Sequence, residues 1–422
     1  MPVTFIHGVN VRTGLAYEKG VAARDELLRR LVLRPLGEAK SAAWVEMDIH
    51  SPYWGGDAVS FAWDFASLPQ VGVAKAMGPK TEDTSDADLE LALFAPENKT
   101  RGGVRALGDS SSGFKAAALK TPMLFVEAVL APLILSEFDL KEEDNESASE
   151  LGLLEAEVLI AAREAVSDAD VQRELKLAET NDEVIDVLCD ATLARLHVAR
   201  SSSAERPGVR AMGARFDRFK DKVKELFDRA KGAPARVATV PVSEALRYGV
   251  NANVGQFLGD VFVYLNKRGD ASAPGPIIEK IVSALTVAKK DPDEPRIAIT
   301  HSMGGNVLYD ILTYYRPDIA LDVWISVGGQ VGFFEEMKLF RVSDIGVRAP
   351  HKVQSLRPPL KFWLNIYDPA DIFSYKVSPV FAANDRDVLY RTGSSMPSAH
   401  SAYFMRPSFY DLLLKELKSA PI

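Results

Sequence analysis

The sequence predicts an α/β fold, in which a mostly parallel sheet of about six core strands is flanked by helices and interrupted by a large, mainly helical insertion. Two observations predict the sheet: β-prone segments alternate with amphipathic segments near the start of the chain, and they do so again from about residue 250 to the end. A third observation predicts the insertion, because this alternation stops between about residues 65 and 249. The 422 residues could hold two to three average domains, but α/β folds often exceed the average as one domain with insertions.

The N-terminal part contains the first two predicted strands. The run Val3 to Val9 is the first, and apolar residues on one side of residues 17–33 predict the helix that follows. Residues 43–49 alternate in hydrophobicity like a second strand. The loop 53–57, which contains Trp54, follows that strand, and loops at strand ends form ligand sites in such sheets.

The predicted insertion, residues 66–244, divides its charge. Residues 141–190 hold 4 basic and 16 acidic residues, whereas residues 195–236 hold 12 basic and 5 acidic. Two helical layers that neutralise one another explain this pattern; alternatively, the basic half from Arg210 to Lys231 docks on anionic lipid or on an acidic partner protein. The apolar helix near residues 122–135 is either a lid over an apolar pocket or the core of the insertion.

The alternation resumes after Val250. An apolar segment at residues 257–265 leads into an amphipathic helix at 276–289, which delivers the chain to a strand at 296–300. Further strands are predicted at residues 322–327 and 361–367, a shorter last strand at 387–390, and a C-terminal helix at 408–417.

Ser302 occupies the turn between a predicted strand and a predicted helix. The stretch 295–315 reads PRIAITHSMGGNVLYDILTYY, in which the β-prone run ends at Thr300 and the apolar spacing of one helix face begins after Gly305. A serine held in a strained turn of this kind exposes its hydroxyl for nucleophilic attack. A helix-capping serine would be the structural alternative, because serine is a favoured N-cap residue.

Together with the segment that ends in His7-Gly8, this turn resembles the α/β-hydrolase superfamily, specifically its lipase and esterase branch with a GxSxG-type turn. Thr300 departs from that pattern, because it stands where the first glycine is usual and its branched Cβ crowds the turn. The resemblance covers residues 1–65 and 245–422. It implies an α/β-hydrolase core in those ranges and makes residues 66–244 an inserted cap, lid or interaction domain.

A serine nucleophile needs an imidazole to take its proton and a carboxylate to orient that imidazole. Of the six histidines, His400 lies in a predicted loop between the last strand and the C-terminal helix, where the superfamily places its general base. Asp368 and Asp371 both follow the preceding strand and compete for the role of acid. The family's Gly-x-x-Asp turn favours Asp371, with Asp368 as a turn-former. The order Ser302, Asp371, His400 is that of the superfamily.

The backbone N–H groups of Val9 and Met303 are expected to form the oxyanion hole, because one follows His7-Gly8 and the other follows the nucleophile at the start of a helix. We expect His7, Gly8 and Trp54 to contact substrate. The sequence contains no Walker A motif, no GxGxxG, and no paired Cys or HExxH metal ligands. No cofactor and no metal are therefore expected.

Composition and charge limit the function classes. The net charge of −8 disfavours a nucleic-acid binder that works by neutralising phosphates. Cys189 is the only cysteine, so no intramolecular disulfide can form, and the first strand begins at Val3, where a secretory signal would lie. We therefore expect a cytoplasmic protein, with peripheral contact to anionic membranes if the basic half of the insertion docks there.

The resemblance implies a serine hydrolase that cleaves a carboxylic ester, with a lipid or other acyl substrate, through a Ser-His-Asp triad and an acyl-enzyme intermediate. Ester, thioester and amide hydrolysis share this machinery, so the substrate class rests on analogy. The competing expectation is a hydrolase-fold interaction or effector protein, regulated by a partner that binds the insertion. This competing expectation rests on the size of the insertion, which is larger than a simple lid needs.

Overall fold

The computed structural model describes about two thirds of the chain. Its described residues are 2–40, 48–62, 119, 122–126, 148–178, 180–201, 255–287, 295–354, 356, 360–382, 385–394 and 399–421. The basic segment 210–231 lies outside these residues, as do most of the apolar stretch 122–135 and most of the predicted strand 43–49.

Strands and helices alternate along the described residues. The strands are β1 (Val3–Ile6), β2 (Ile49–His50), β3 (Ile297–His301), β4 (Leu321–Val327), β5 (Leu360–Tyr367) and β6 (Asp385–Leu389). The helices are α1 (Leu15–Leu27), α2 (Arg34–Ala39), α3 (Pro122–Phe125), α4 (Ala148–Ser167), α5 (Ala169–Leu177), α6 (Asn181–Ser201), α7 (residues 255–267), α8 (Pro276–Val287), α9 (Met303–Asp310), α10 (Val331–Glu336), α11 (Ala399–Ala402) and α12 (Pro407–Ser419). Wider π-helical turns join α1 to α2 through Leu28–Leu33 and extend α9 through Ile311–Tyr315.

The six strands form one parallel sheet in the order β2-β1-β3-β4-β5-β6. The strand order reverses between β1 and β3, because the chain moves outward from β1 to β2 on one side and from β3 to β6 on the other. In such sheets the crevice at the carboxyl ends of the strands, at the point of reversal, is where ligands bind. The residues that follow β1 and β3 are therefore the first place to look for a site.

Both faces of the sheet are covered by helices, which explains why its central strands are mainly apolar. On β3, Ile297 and Ile299 pack with α1, α4 and α12, whereas Ala298 packs on the opposite face with α8 and α9. Side chains alternate along a strand, so a strand buried on both faces reads as a continuous apolar run. The parallel sheet buried on both sides confirms the predicted α/β class and the predicted sheet of about six strands.

Helix α4, which belongs to the predicted insertion, packs directly on the helical layer of the sheet. A Cβ at its Gly152 would lie 2.2 Å from the Lys19 carbonyl oxygen of α1, so the two helices touch through their backbones. Three of its apolar residues join the core cluster of that face, and Arg163 pairs with Asp411 of α12. The described part of the segment 66–244 thus includes a helix of the core layer.

Element boundaries differ from the prediction where neighbouring elements decide them. The first strand ends at Ile6, because His7 turns away to meet Trp54. The first helical segment runs from Leu15 to Ala39, longer than predicted at both ends. Residues 257–265 lie inside α7. His400 lies in the short helix α11 rather than in a loop, and α11 packs its Ala399 and Ala402 into the protein.

Within the described ranges, none of the helices has the length and apolar character needed to cross a bilayer.

Candidate active site

Ser302 lies at the carboxyl end of β3, in the turn that connects this strand to α9. Its φ of 53° and ψ of −130° are unusual for a residue with a side chain, and such a conformation costs on the order of 1–3 kcal/mol. Two backbone hydrogen bonds hold it: the Ser302 N–H donates to the Val327 carbonyl at 3.0 Å, and the Gly305 N–H donates to the Ser302 carbonyl at 3.1 Å. The local geometry is that of a strained strand-to-helix turn.

The residues around Ser302 make room for this turn. A Cβ at Gly304 would lie 2.4 Å from the Ile6 carbonyl oxygen, so only glycine lets α9 begin this close to the end of β1. Thr300, the departure from the family pattern, is fully buried, and its hydroxyl accepts a hydrogen bond from the Trp324 indole N–H at 2.8 Å. The Thr300 side chain, which is larger than the hydrogen of a glycine, therefore lies in the sheet layer and not in the turn.

His400 and Asp371 form a hydrogen-bonded pair at the same edge of the sheet. The His400 Nδ1 lies 2.8 Å from Asp371 Oδ2 and 3.0 Å from Oδ1. The carboxylate is buried, and it also accepts from the Phe373 N–H at 2.9 Å and from the Tyr403 hydroxyl at 3.1 Å. A carboxylate accepts hydrogen bonds, so Nδ1 carries the hydrogen and Nε2 is left as an acceptor. That Nε2 atom is buried and has no hydrogen-bond partner among the described residues.

Asp368, the competing acid, has a different set of contacts. One of its carboxylate oxygens accepts from the N–H and the hydroxyl of Thr392, at 2.8 and 2.7 Å, and the other accepts from the Ala370 N–H at 2.9 Å. These bonds close the turn after β5 and tie it to the segment before α11. Of the two aspartates, Asp371 is the one whose carboxylate contacts the imidazole of His400.

His301 supports His400 from the end of β3. Its Nε2 lies 2.8 Å from the His400 carbonyl oxygen, and the two ring centroids are 4.8 Å apart. Burial, together with the neighbouring imidazole, lowers the pKa of His301 to about 3. The ring is therefore neutral at physiological pH and donates its Nε2 hydrogen to the backbone of His400.

The segment after β1 approaches Ser302 closely. A Cβ at Gly8 would lie 2.5 Å from the Ser302 Cβ and 3.1 Å from its Oγ. This contact places the peptide group between Gly8 and Val9 beside the serine. Val9 and Met303 belong to one core cluster beneath the turn. The structure thus brings both predicted oxyanion-hole segments next to Ser302, and their role as donors stays a prediction.

His7 and Trp54 are supporting residues rather than the substrate contacts that we expected. Their rings stack with centroids 4.9 Å apart, and both side chains are buried. The Trp54 backbone N–H donates to His7 Nε2 at 3.0 Å, the Trp54 indole N–H donates to the His7 carbonyl at 2.9 Å, and His7 Nδ1 donates to the Gly8 carbonyl at 2.8 Å. Together they hold Gly8 in place.

Gln330 is a neighbour of Ser302 that the sequence did not suggest. It follows β4 after Gly328 and Gly329, and its Nε2 lies 3.3 Å from the Ser302 Oγ. The signal that could have found it is topological, because residues after the strand next to β3 must lie at the same edge of the sheet.

Among the residues that the structure describes, no group of three or more His, Cys, Asp or Glu side chains is placed to hold a metal ion.

The contact between Gly8 and Ser302 gives a first prediction. Gly8→Ala would force the added methyl group against Ser302, and we expect it to slow reactions of this serine by about 100-fold, as displacement of a reacting group does. The measurement is the rate at which a fluorophosphonate probe labels the protein. Gly20→Ala is the matched control, since a Cβ on that helical glycine meets nothing within 4 Å. Equal labelling rates for both variants would contradict the close approach.

The buried His7 gives a second prediction, on stability. Burial lowers the pKa of His7 from 6.5 to about 4, so below pH 6.5 the unfolded chain binds a proton that the folded chain does not. The stability gained from neutral His7 is complete above pH 6.5 and falls by about 3 kcal/mol as the pH drops to about 4. We expect the difference in unfolding free energy between the wild type and His7→Gln to shrink by this amount over that range in urea titrations. A constant difference for His7→Gln over this pH range would refute the prediction.

The comparisons with known proteins add no relative to this geometry: no protein-family model, no curated protein and no solved structure matches the chain.

Proposed function

We propose that this protein is a serine hydrolase with an α/β-hydrolase fold that cleaves a carboxylic ester. In this proposal Ser302 is the nucleophile, His400 the general base and Asp371 the residue that orients the imidazole. One observation carries the proposal: a hydrogen-bonded Asp371–His400 pair lies at the sheet edge where Ser302 occupies a strained turn beside Gly8. Strained backbone conformations cluster at functional sites.

Acylation would begin when the Ser302 Oγ attacks the ester carbonyl carbon. In the neutral imidazole whose Nδ1 donates to Asp371, His400 Nε2 takes the hydroxyl proton as the new C–O bond forms. The carbonyl π electrons move to its oxygen and give a tetrahedral oxyanion. When this intermediate collapses, the C–O bond to the leaving alcohol breaks and His400 gives the proton to that alcohol.

Deacylation would repeat these steps with water as the nucleophile. His400 Nε2 removes a proton from the water as its oxygen attacks the acyl carbon, and the same proton returns to Ser302 Oγ when the acyl–enzyme bond breaks. The products are a carboxylic acid and the free enzyme. Asp371 stays ionised throughout, and it stabilises the imidazolium that forms in both halves of the reaction.

The oxyanion would be bound by backbone N–H groups of Met303 and Val9. Met303 is the first residue of α9, so its N–H has no partner within the helix and the helix dipole favours negative charge there. The close contact of Gly8 with Ser302 brings the segment that contains Val9 next to the same turn. Donors of this kind supply about 3 kcal/mol each to the stabilisation of the transition state.

An apolar surface next to His400 supports a lipid or other acyl ester as the substrate. The Phe373 ring packs edge-on against the His400 ring with centroids 5.3 Å apart, and Phe257 of α7 stacks on Phe373 at 4.3 Å. Ile372, the residue after Asp371, is about half exposed. Ligand sites are lined mainly by apolar and aromatic side chains with a few placed polar groups.

Two measurements test the proposal together. The purified chain is incubated with a fluorophosphonate probe, and its hydrolysis of p-nitrophenyl esters is followed across acyl lengths, both with and without anionic vesicles. We expect one covalent adduct per chain and turnover that rises with acyl length. A folded chain that is neither labelled nor active in any of these conditions would instead favour an interaction module built on the same scaffold.

A further inference from the structure

The side-chain amide of Gln330 is held rigidly next to Ser302. The side chain is buried, and its Nε2 donates to the Phe373 carbonyl at 2.7 Å and to the Gly328 carbonyl at 3.0 Å. The same nitrogen lies 3.3 Å from the Ser302 Oγ. Two short bonds to the backbone therefore fix the direction in which the amide meets the serine.

The two amide hydrogens face three acceptors, so one hydrogen is shared. Carboxamide nitrogens donate and do not accept, which leaves Ser302 Oγ as the acceptor in this contact. A serine oxygen has one hydrogen of its own, and that hydrogen must then point away from Gln330. His400 Nε2 is a buried acceptor that has no hydrogen-bond partner among the described residues, Ser302 included, and its ring lies 4.8 Å from that of His301, the residue before Ser302.

The anchors of the amide belong to the segments that carry the rest of the site. Phe373, whose carbonyl accepts from Gln330, donates its own N–H to Asp371 at 2.9 Å and packs its ring against His400. Gly328, whose carbonyl is the other acceptor of the Gln330 amide, lies close to Asp371. A Cβ on Gly328 would be 3.0 Å from Asp371 Oδ2. Gln330 thus connects the loop after β4, the loop after β5 and the serine.

We infer that Gln330 is a positioning residue: it binds the Ser302 oxygen from one side and thereby turns the hydroxyl hydrogen toward His400. This inference rests on the proposed function, because it assigns a role in activating the same nucleophile. The contact between Gln330 Nε2 and Ser302 Oγ, which uses the shared amide hydrogen, is long at 3.3 Å and therefore weak. It orients the hydroxyl and still leaves the oxygen able to attack a carbonyl carbon.

The test compares two buried amides by replacing each with an apolar residue of similar size. Gln330→Met removes the donor next to Ser302. Asn365→Leu is the matched control, because Asn365 is as buried and donates to the Tyr375 carbonyl and to Asp387 at 2.9 and 2.8 Å, with no contact to Ser302 in the structure. The fluorophosphonate labelling rate is measured against pH for the wild type and both variants, with the midpoint of thermal unfolding alongside.

We expect Gln330→Met to be labelled between about 10-fold and about 100-fold more slowly than the wild type, while Asn365→Leu keeps a rate near that of the wild type at a comparable loss of thermal stability. The pH at which labelling reaches half its plateau should stay unchanged in Gln330→Met, because that pH reports the imidazole rather than the serine rotamer. If Gln330→Met does not fold, Gln330→Asn gives the same comparison with an amide that is one methylene too short to reach Ser302.

Three results would overturn the inference: wild-type labelling of the Gln330 variant, an equal loss in both variants, or a shifted pH midpoint, which would place the effect on the His400–Asp371 pair. Failure of the proposed function has a different result, since the wild type itself would then not be labelled.

Discussion

Replacement of Ser302 by alanine should abolish covalent labelling and lower kcat by at least about 10⁴-fold, because in the proposed mechanism Ser302 forms the acyl intermediate. The substitution removes a single atom from a buried side chain. The alanine keeps the Cβ that contacts Gly8, and Gln330 keeps its two backbone acceptors when the serine oxygen is gone. We therefore expect a folded variant whose thermal unfolding midpoint is close to that of the wild type.

The matched control for Ser302→Ala is Ser326→Ala. Ser326 is a fully buried serine on β4, and its hydroxyl donates to Asn365 and accepts from Trp363. Loss of the Ser326 hydroxyl should lower the stability of the protein and leave the probe labelling of Ser302 intact. Mass spectrometry of the intact chain and of its peptides locates the adduct. An adduct on a residue other than 302, or equal labelling of Ser302→Ala and the wild type, would show that Ser302 is not the nucleophile.

Asp371→Asn should lower kcat by about 10⁴-fold, the size of the effect in serine-protease triads. An asparagine can present its amide N–H to His400 Nδ1, and this would favour the tautomer that has its hydrogen on Nε2, where the serine proton must go. The amide also carries no charge to stabilise the imidazolium. The contact of residue 371 with the Phe373 N–H, which is made to Oδ1, can persist through the amide oxygen, whereas the Tyr403 hydroxyl, which donates to Oδ2, would face the amide nitrogen.

Asp368→Asn should reduce stability much more than catalysis. Its carboxylate accepts from Thr392 and Ala370 and does not contact the imidazole, so the charge-neutral amide weakens the turn after β5. The two variants are compared by kcat for the best ester and by the urea midpoint. A greater loss of kcat in Asp368→Asn than in Asp371→Asn, with the two equally stable, would reverse the assignment of the acid.

Local pattern was sufficient for the fold class and for most strands. The apolar runs at Val3–Ile6, Ile297–His301, Leu321–Val327 and Leu360–Tyr367 are strands buried on both faces, and such strands have a clear signature in the sequence. Ser302 could be predicted for a related reason. Its strained conformation needs small residues beside it, and Gly304 and Gly305 follow it in the chain after Met303.

The contacts that complete the site depend on residues far apart in sequence, and local pattern does not report them. The sequence alone favoured Asp371 through a family resemblance, but the hydrogen bond to His400 exists because the ends of β5 and α11 meet in space. His7 and Trp54 were expected at the substrate, whereas the packing of β1 against the loop 53–57 buries them. Gln330 carries no local signal, and only the neighbouring positions of β3 and β4 in the sheet bring its amide to Ser302. Periodicity and turn residues thus determined the strands and the strained turn at Ser302, because those properties depend on adjacent residues. The order of the strands decided the partners of Ser302, because parallel strands bring distant segments together at one edge.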